Sequence, residues 1–156
     1  MRKVVYSAAM SLDGYIAGPR GESDWIVIDP DLDFDAMLAR FDTILLGRRT
    51  YAATRAGGGG GMPGVKSYVF SRTLQQADAP GVTVSADPLQ TVSDLKAQPG
   101  KDIWLFGGGS LFRSLLPLGL VEVVEVAIIP VLLGGGAFAP RHPGASGAAA
   151  RRAPDL

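Results

Sequence analysis

Two periods of hydrophobicity take turns along this chain. Short apolar runs at Val4 to Ala9, DTILLG (42–47), KSYVF (66–70), VTVS (82–85), DIWLFG (102–107) and Val121 to Val131 have the length and β-branched content of strands. Their lack of strict alternation fits burial on both faces of a sheet. Between them the spacing becomes helical. In DLDFDAMLARF, Phe34, Met37, Leu38 and Phe41 fall at i, i+3, i+4 and i+7, with Asp31, Asp33 and Asp35 near the start, where they suit the helix dipole. GRRTYAATR reads as a turn opening a helix, and DPLQTVSDLKAQ carries Leu89, Val92 and Leu95 along one side. After a glycine turn, Leu111, Phe112, Leu115 and Leu116 share a face that can meet a sheet. Strands alternating with helices predict an α/β domain of three layers, α/β/α, around a largely parallel sheet.

Three segments interrupt the pattern. SLDGYIAGPRGESDWIVIDP (11–30) is a long polar loop, and loops of that length generally carry a function. Ala56 to Gly64 contains five consecutive glycines and reads as a mobile surface loop. From residue 141 onward, RHPGASGAAARRAPDL has no period and almost no large apolar side chains. The expected organisation is therefore one domain over 1–140 and a low-complexity, disordered tail over 141–156.

Composition narrows the function. At 156 residues and 47% hydrophobic, one domain can bury a substantial core. Fifteen basic residues balance fifteen acidic ones, so no global field gathers nucleic acid or anionic lipid, and anion recognition has to be local. Cysteine is absent, which removes thiolate nucleophiles and suits a reducing cytoplasm. The first apolar run gives way to Asp13-Gly14 too early for a signal peptide, and no stretch reaches the roughly 20 apolar residues of a membrane span. With His142 the only histidine, a Ser-His-Asp triad or a histidine metal site is not expected. An enzyme built this way would rely on a bound cofactor for the difficult chemistry.

The informative feature is a property shared by three strand ends. Gly47 to Thr50, Ser71 to Thr73 and Gly107 to Ser110 each place glycine, hydroxyl or arginine just after an apolar run. In a parallel α/β sheet such carboxyl ends lie along one edge, where ligands bind. Glycine lets backbone N–H groups approach a phosphate at a helix N-terminus. A helix end contributes only roughly 0.3–1 kcal/mol to an exposed anion, whereas a charge-assisted hydrogen bond adds roughly 1.5–3. Arg48, Arg49 and Arg72 are placed to supply such bonds, and together these terms approach the roughly 8 kcal/mol of micromolar affinity. Each element has a plainer reading beside this one. Three glycines can be a tight connection without a ligand, Arg48 and Arg49 a solvated helix start, and Asp13-Gly14 and Gly134 to Gly136 ordinary turns. Phe112 stands where the third glycine of G-x-G-x-x-G would be, and GxxxxGK[ST] is missing, so neither standard nucleotide motif is present.

YSAAMSLDGYIA, FDTILLGRRTY, YVFSRTL, IWLFGGGSLF and VAIIPVLLGGG, in this order, resemble the dihydrofolate reductase-like reductases. The nearest likeness is to the reductase domain of the bifunctional riboflavin-biosynthesis deaminase-reductase, and it runs from about Val4 to Gly136. The resemblance implies a dihydrofolate reductase-like, mostly parallel mixed sheet, NADPH as cofactor and hydride transfer to a C=N or C=O carbon of a heterocyclic or ribosylamino-pyrimidine substrate. It implies that Ala9 and Ile16 hold the nicotinamide amide. Gly47, Arg48, Arg49 and Thr50 would contact the adenosine phosphates and pyrophosphate, with Ser71 and Arg72 near the 2′-phosphate. Gly107, Gly108, Gly109, Ser110 and Leu111 would form the pyrophosphate turn. Dihydrofolate reductases carry a carboxylate on the first helix, and an ungapped alignment puts Asp31 there as the implied catalytic residue.

The resemblance ends at the LLGGG turn. Family members continue into a final strand paired with the long strand before it, and here an Ala/Gly/Arg/Pro tail follows instead. That implies an unpaired sheet edge and association, and homodimers are common in this branch. Two further readings stay open: a non-catalytic NADPH-binding paralogue inactivated by its altered carboxyl end, and a phosphate-sugar binding module unrelated to NADPH.

Overall fold

The computed structural model describes residues 1–58 and 64–139. Most of the glycine-rich break and the tail 141–156 lie outside the described residues. A six-stranded sheet forms from β1 (Val4–Ser11), β3 (Phe41–Gly47), β4 (Lys66–Phe70), β5 (Thr83–Ser85), β6 (Asp102–Gly107) and β7 (Val123–Ile129). Its strand order is β5-β4-β3-β6-β1-β7, and every pairing in it is parallel. Parallel neighbours need crossovers, which α2 (Arg48–Ala56), α3 (Pro88–Ala97) and α4 (Gly109–Leu115) supply.

Because side chains alternate across a strand, adjacent residues feed opposite cores. Val4, Leu45, Ile103 and Leu105 join Val92 and Leu95 of α3 and Leu111, Phe112 and Leu115 of α4. Val5, Ile44, Leu46 and Trp104 face the other way and pack with Tyr51 of α2 and Met37 and Leu38. The result is the expected α/β/α sandwich, with Leu45, Ile103 and Leu105 wholly excluded from solvent at its centre.

Two expectations need correction. The helix expected over residues 31–41 is only α1 (Phe34–Leu38), and none of its residues is fully buried. Asp33 caps its start by accepting from the Ala36 N–H at 2.8 Å, but Phe41 belongs to β3 and not to the helical stripe. There it is 5% exposed and stacks on Trp104 at 5.6 Å between ring centroids, so sheet packing outweighs the local period. The long polar loop also contains a strand. β2 (Tyr15–Ala17) pairs antiparallel with β8 (Ala137–Phe138), just past the LLGGG turn, as a separate ribbon. The chain after that turn therefore folds back over the first loop, and among the described residues no strand pairs with the outer edge of β7.

The amino ends of the strands are tied by buried charge. Arg2 pairs with Asp42, donates to Thr43 Oγ1 at 2.8 Å and to the Lys101 carbonyl at 2.6 Å, and keeps only 6% of its side chain exposed. Lys96 pairs with Glu122, whose other carboxylate oxygen accepts from the Val4 N–H at 2.8 Å. No helix among the described residues is long and apolar enough to cross a membrane.

Candidate active site

The carboxyl edge of the sheet opens into a cleft of about 1680 Å³. Its lining comes from the end of β1 (Ala8, Ala9), the starts of α2 and α4, the turn after β4, and the β2–β8 ribbon. Ala9, Ile16, Gly47, Arg48, Arg49, Thr50, Ser71, Arg72, Gly107, Gly108, Gly109, Ser110 and Leu111 all line it, so segments from across the sequence meet on one surface. Asp31 does not. It is exposed in the turn before α1, where its N–H donates to Asp29 Oδ1 at 2.9 Å.

The cleft has a one-signed charge. Among the described residues its lining contains four guanidinium groups, Arg48, Arg49, Arg72 and Arg113, and no aspartate or glutamate. Among the described residues the ion pairs are Arg2–Asp42, Arg20–Glu22, Arg40–Glu125 and Lys96–Glu122, so none of the four cleft arginines has a carboxylate partner. Two of them open α2, against the dipole preference for acidic residues there, and its first turn has no acidic residue or side-chain cap. α4 likewise starts uncapped at Gly108. Uncapped helix starts and guanidinium groups without carboxylate partners thus meet on one surface, a charge pattern complementary to an anion.

The glycines answer to space. Gly107 has φ +150, and a Cβ on Gly108 would stand 3.1 Å from Thr50 Oγ1. A Cβ on Gly47 would come within 3.5 Å of the Gly108 nitrogen. The turn after β3 and the turn after β6 are thus packed backbone to backbone, which brings the α2 and α4 starts together. The hydroxyl of Ser71 accepts from the N–H groups of Thr73 at 3.1 Å and Leu74 at 2.9 Å, closing the turn that presents Arg72.

At the other end the lining is apolar: Ile26, Phe106 and Phe138 join Ala9 and Ile16. Phe138 stacks on Tyr15 at 4.3 Å. This wall is held by Asp13, whose carboxylate accepts from Ser11 Oγ at 2.6 Å and from the N–H groups of Leu133 at 3.1 Å and Gly134 at 2.8 Å. Those bonds, the Ser11 hydroxyl first among them, hold its pKa down at about 2. Asp13-Gly14 is a turn, as expected, but its side chain also joins the first loop to the LLGGG segment. Sequence reasoning missed this clamp, and likewise Arg113, Phe106 and Phe138. The co-occurrence of SLDG and LLGGG was the available signal for the clamp. Among the described residues no cluster of three His, Cys, Asp or Glu side chains could hold a metal ion.

Comparison with known proteins identifies the family and the fold. The uncharacterized protein YyaP of Bacillus subtilis (strain 168) is 38% identical over 151 residues, covering 86% of this chain and 78% of that protein. A candidate riboflavin biosynthesis protein from Shewanella sp. PV-4 superposes with a TM-score of 0.76 at 26% identity, over 92% of this chain and 86% of that one. Dihydrofolate reductase from Enterococcus faecalis, solved with NADP(H), shares the fold with a TM-score of 0.68 at 20% identity, over 89% of this chain and 77% of its own. Residues 2–150 match the RibD C-terminal domain, and with the parallel sheet and basic cleft in place the chain belongs to that reductase-like family.

Proposed function

We propose that this protein is an NADPH-dependent reductase acting on a heterocyclic or ribosylamino-pyrimidine substrate. The observation that carries the reading is the cleft with four guanidinium groups that lack a carboxylate partner and, among the described residues, no carboxylate of its own, joined to an apolar wall. A dinucleotide with a phosphorylated ribose has that same polarity: phosphates at one end, a flat ring at the other. Arg48, Arg49 and Arg72 suit the adenosine phosphates, and the backbone turn from Gly107 to Leu111 suits the pyrophosphate. Ala9 and Ile16 leave room for a ring between β1 and β2.

Bound there, NADPH supplies a hydride to a C=N or C=O carbon. The chain contributes position: the β2–β8 ribbon and Phe106 line the cleft beside the proposed ring site, and Asp13 joins the segments that flank that ribbon. Among the described residues the lining offers no carboxylate or imidazole, and a proton taken from water is the reading we adopt. The likeness to a candidate riboflavin biosynthesis protein supports the substrate class.

Absorbance at 340 nm, with dihydrofolate and the riboflavin-precursor ribosylamino-pyrimidine as acceptors, tests turnover. Arg48→Ala and Arg72→Ala should each weaken NADPH binding about 10- to 100-fold, the equivalent of roughly 1.5–3 kcal/mol, and leave NADH much less affected. Tight NADPH binding with no oxidation by either acceptor would favour the non-catalytic nucleotide-binding reading. Equal affinity for NADPH and NADH would count against the cofactor assignment.

A further inference from the structure

One row of side chains crosses three neighbouring strands under the apolar end of the cleft. Ser7 on β1 stands in register with Glu125 on β7, and Phe106 follows Leu105, the β6 partner of Tyr6. Val5 and Trp104, two positions earlier on their strands, pack in the core beneath α1, so alternation turns Ser7 and Phe106 to that same face. Both line the cleft. Among the described residues, β1, β2, β6 and β8 put only two polar side chains into the lining, Tyr6 and Ser7. Tyr6 lies on the opposite face, stacked on Phe112 at 4.1 Å. Ser7 is therefore the hydrogen-bonding group that these strands set beside Ala9, Ile16, Phe106 and Phe138.

What stands behind Ser7 sets the direction of its hydroxyl. Its Oγ donates to Glu125 Oε2 at 3.5 Å, the long end of a hydrogen bond. Arg40 grips both oxygens of that carboxylate, at 2.7 and 3.3 Å, and these bonds hold the Glu125 carboxyl below the usual carboxylate range. An ionised carboxylate only accepts, so the Ser7 proton turns to Glu125 and the Ser7 lone pairs remain for a donor in the cleft.

Charge is distributed just as unevenly. Arg48 and Arg49 follow β3 and Arg72 follows β4, and in the order β4-β3-β6-β1 the end of β3 lies two strands from Ser7, roughly 10 Å away. Arg113 rides on α4, which packs into the core on the other face of the sheet. Arg40 is matched by Glu125. Among the described residues, no unmatched cation comes from β1, β7 or the β2–β8 ribbon.

We propose that this end of the cleft takes an uncharged, phosphate-free ring whose amine or ring N–H is accepted by Ser7 Oγ, with Glu125 and Arg40 as positioning residues that fix the polarity of Ser7. The proposal rests on the reading above, in which the cofactor fills the arginine-lined end, and it narrows the substrate. A phosphate carried by the ring would lie beside apolar side chains and a hydroxyl whose proton is turned away from it, without a partner for its charge.

Fluorescence titration of the NADP+-saturated full chain with 4-aminoquinazoline and 4-methylquinazoline, which differ by one donor group, tests the ring site. The wild type should bind the amine about 3- to 10-fold more tightly, as one hydrogen bond to an otherwise unpaired acceptor requires. Ser7→Ala should remove that preference and leave NADP+ affinity unchanged, whereas Ser7→Thr, which keeps the hydroxyl, should retain it. Glu125→Gln places an amide donor behind Ser7 and frees its proton for the cleft, so the preference should fall towards that of Ser7→Ala. Ribose 5-phosphate should neither bind the NADP+-saturated protein nor displace the amine. Circular dichroism and thermal melting confirm that each variant is folded. Equal affinity of the wild type for the two quinazolines, a preference that survives Ser7→Ala or Glu125→Gln, or displacement of the amine by ribose 5-phosphate would each overturn the proposal. Failure to bind NADP+ would sink the cofactor reading instead, and the quinazoline pair, titrated without cofactor, would still decide the role of Ser7.

Discussion

The Asp13 carboxylate accepts a 2.8 Å hydrogen bond from the backbone N–H of Gly134, 121 positions further along the chain. Through this contact the first loop and the LLGGG turn act as one wall of the cleft. Asp13→Asn keeps one acceptor oxygen, but removes the charge and aims an amide donor at backbone N–H groups. The variant should show a raised KM for NADPH or substrate. A depressed carboxyl pKa contributes stability that is complete above the unfolded value and disappears as pH falls towards the folded one, here between about pH 4 and about 2. Thermal melting across that window should therefore fall less steeply for Asp13→Asn than for the wild type.

Gly136 marks where β8 meets β2. Its φ is +139, and a Cβ there would stand 2.1 Å from the carbonyl oxygen of Ala17. Because that obstacle is backbone, Gly136→Ala should displace the ribbon, whose Ala137 and Phe138 line the cleft. We expect a loss of about 1–3 kcal/mol in stability, read as a lower Tm, together with reduced kcat/KM. Gly134→Ala is the control, since φ there is +67 with nothing within 4 Å of the new methyl group. It should cost only about 1 kcal/mol.

The sheet was legible because its strands are apolar runs bounded by turn residues, and local composition alone decides that. The meeting of the glycine and arginine segments on one surface was legible too, since the carboxyl ends of parallel strands lie along one edge. What stayed hidden depended on distant pairing. Tyr15–Ala17 and Ala137–Phe138 are too short to show a period, and they meet through contacts between distant residues: the Asp13 bonds to Leu133 and Gly134 and the stacking of Tyr15 on Phe138. Phe41 matched a helical stripe by spacing and was drawn into β3 by Trp104. Asp31 took its expected place from an ungapped alignment, which a five-residue α1 and the ribbon in the preceding loop do not respect.

Gly108 and Thr50 face each other across the two turns at the arginine-lined end of the cleft. A methyl group on Gly108 would lie 3.1 Å from Thr50 Oγ1, so the Thr50 side chain must shift by a few tenths of an ångström to admit it. Gly108→Ala should weaken NADPH binding, measured by quenching of intrinsic fluorescence. Thr50→Ala removes the obstructing atom. Gly108→Ala combined with Thr50→Ala should therefore bind better than the sum of the single losses predicts, a non-additivity of about 0.5–3 kcal/mol.

Arg2 works at the opposite edge of the sheet and should affect stability alone. Its guanidinium bridges Asp42, Thr43 and the Lys101 carbonyl from a buried position. Arg2→Met would leave Asp42 unpaired, although a third of that side chain is exposed. We expect a loss of about 3 kcal/mol, the low end for breaking a buried pair, seen in chemical denaturation. NADPH affinity should not change, because none of these groups lines the cleft.

Asp31 tests whether the protein or the solvent supplies the proton. A positioned general acid contributes about 10²- to 10⁴-fold, and it must come within hydrogen-bond reach of the atom it protonates. Asp31 stands exposed in the turn before α1, with its N–H on Asp29, and is absent from the cleft lining. Asp31→Ala should therefore leave kcat within twofold of the wild type, and the acid limb of its pH profile where it was. If kcat instead fell by about 10²-fold with a displaced acid limb, the loop before α1 would have to move into the cleft during turnover, and the proton would be Asp31's to give.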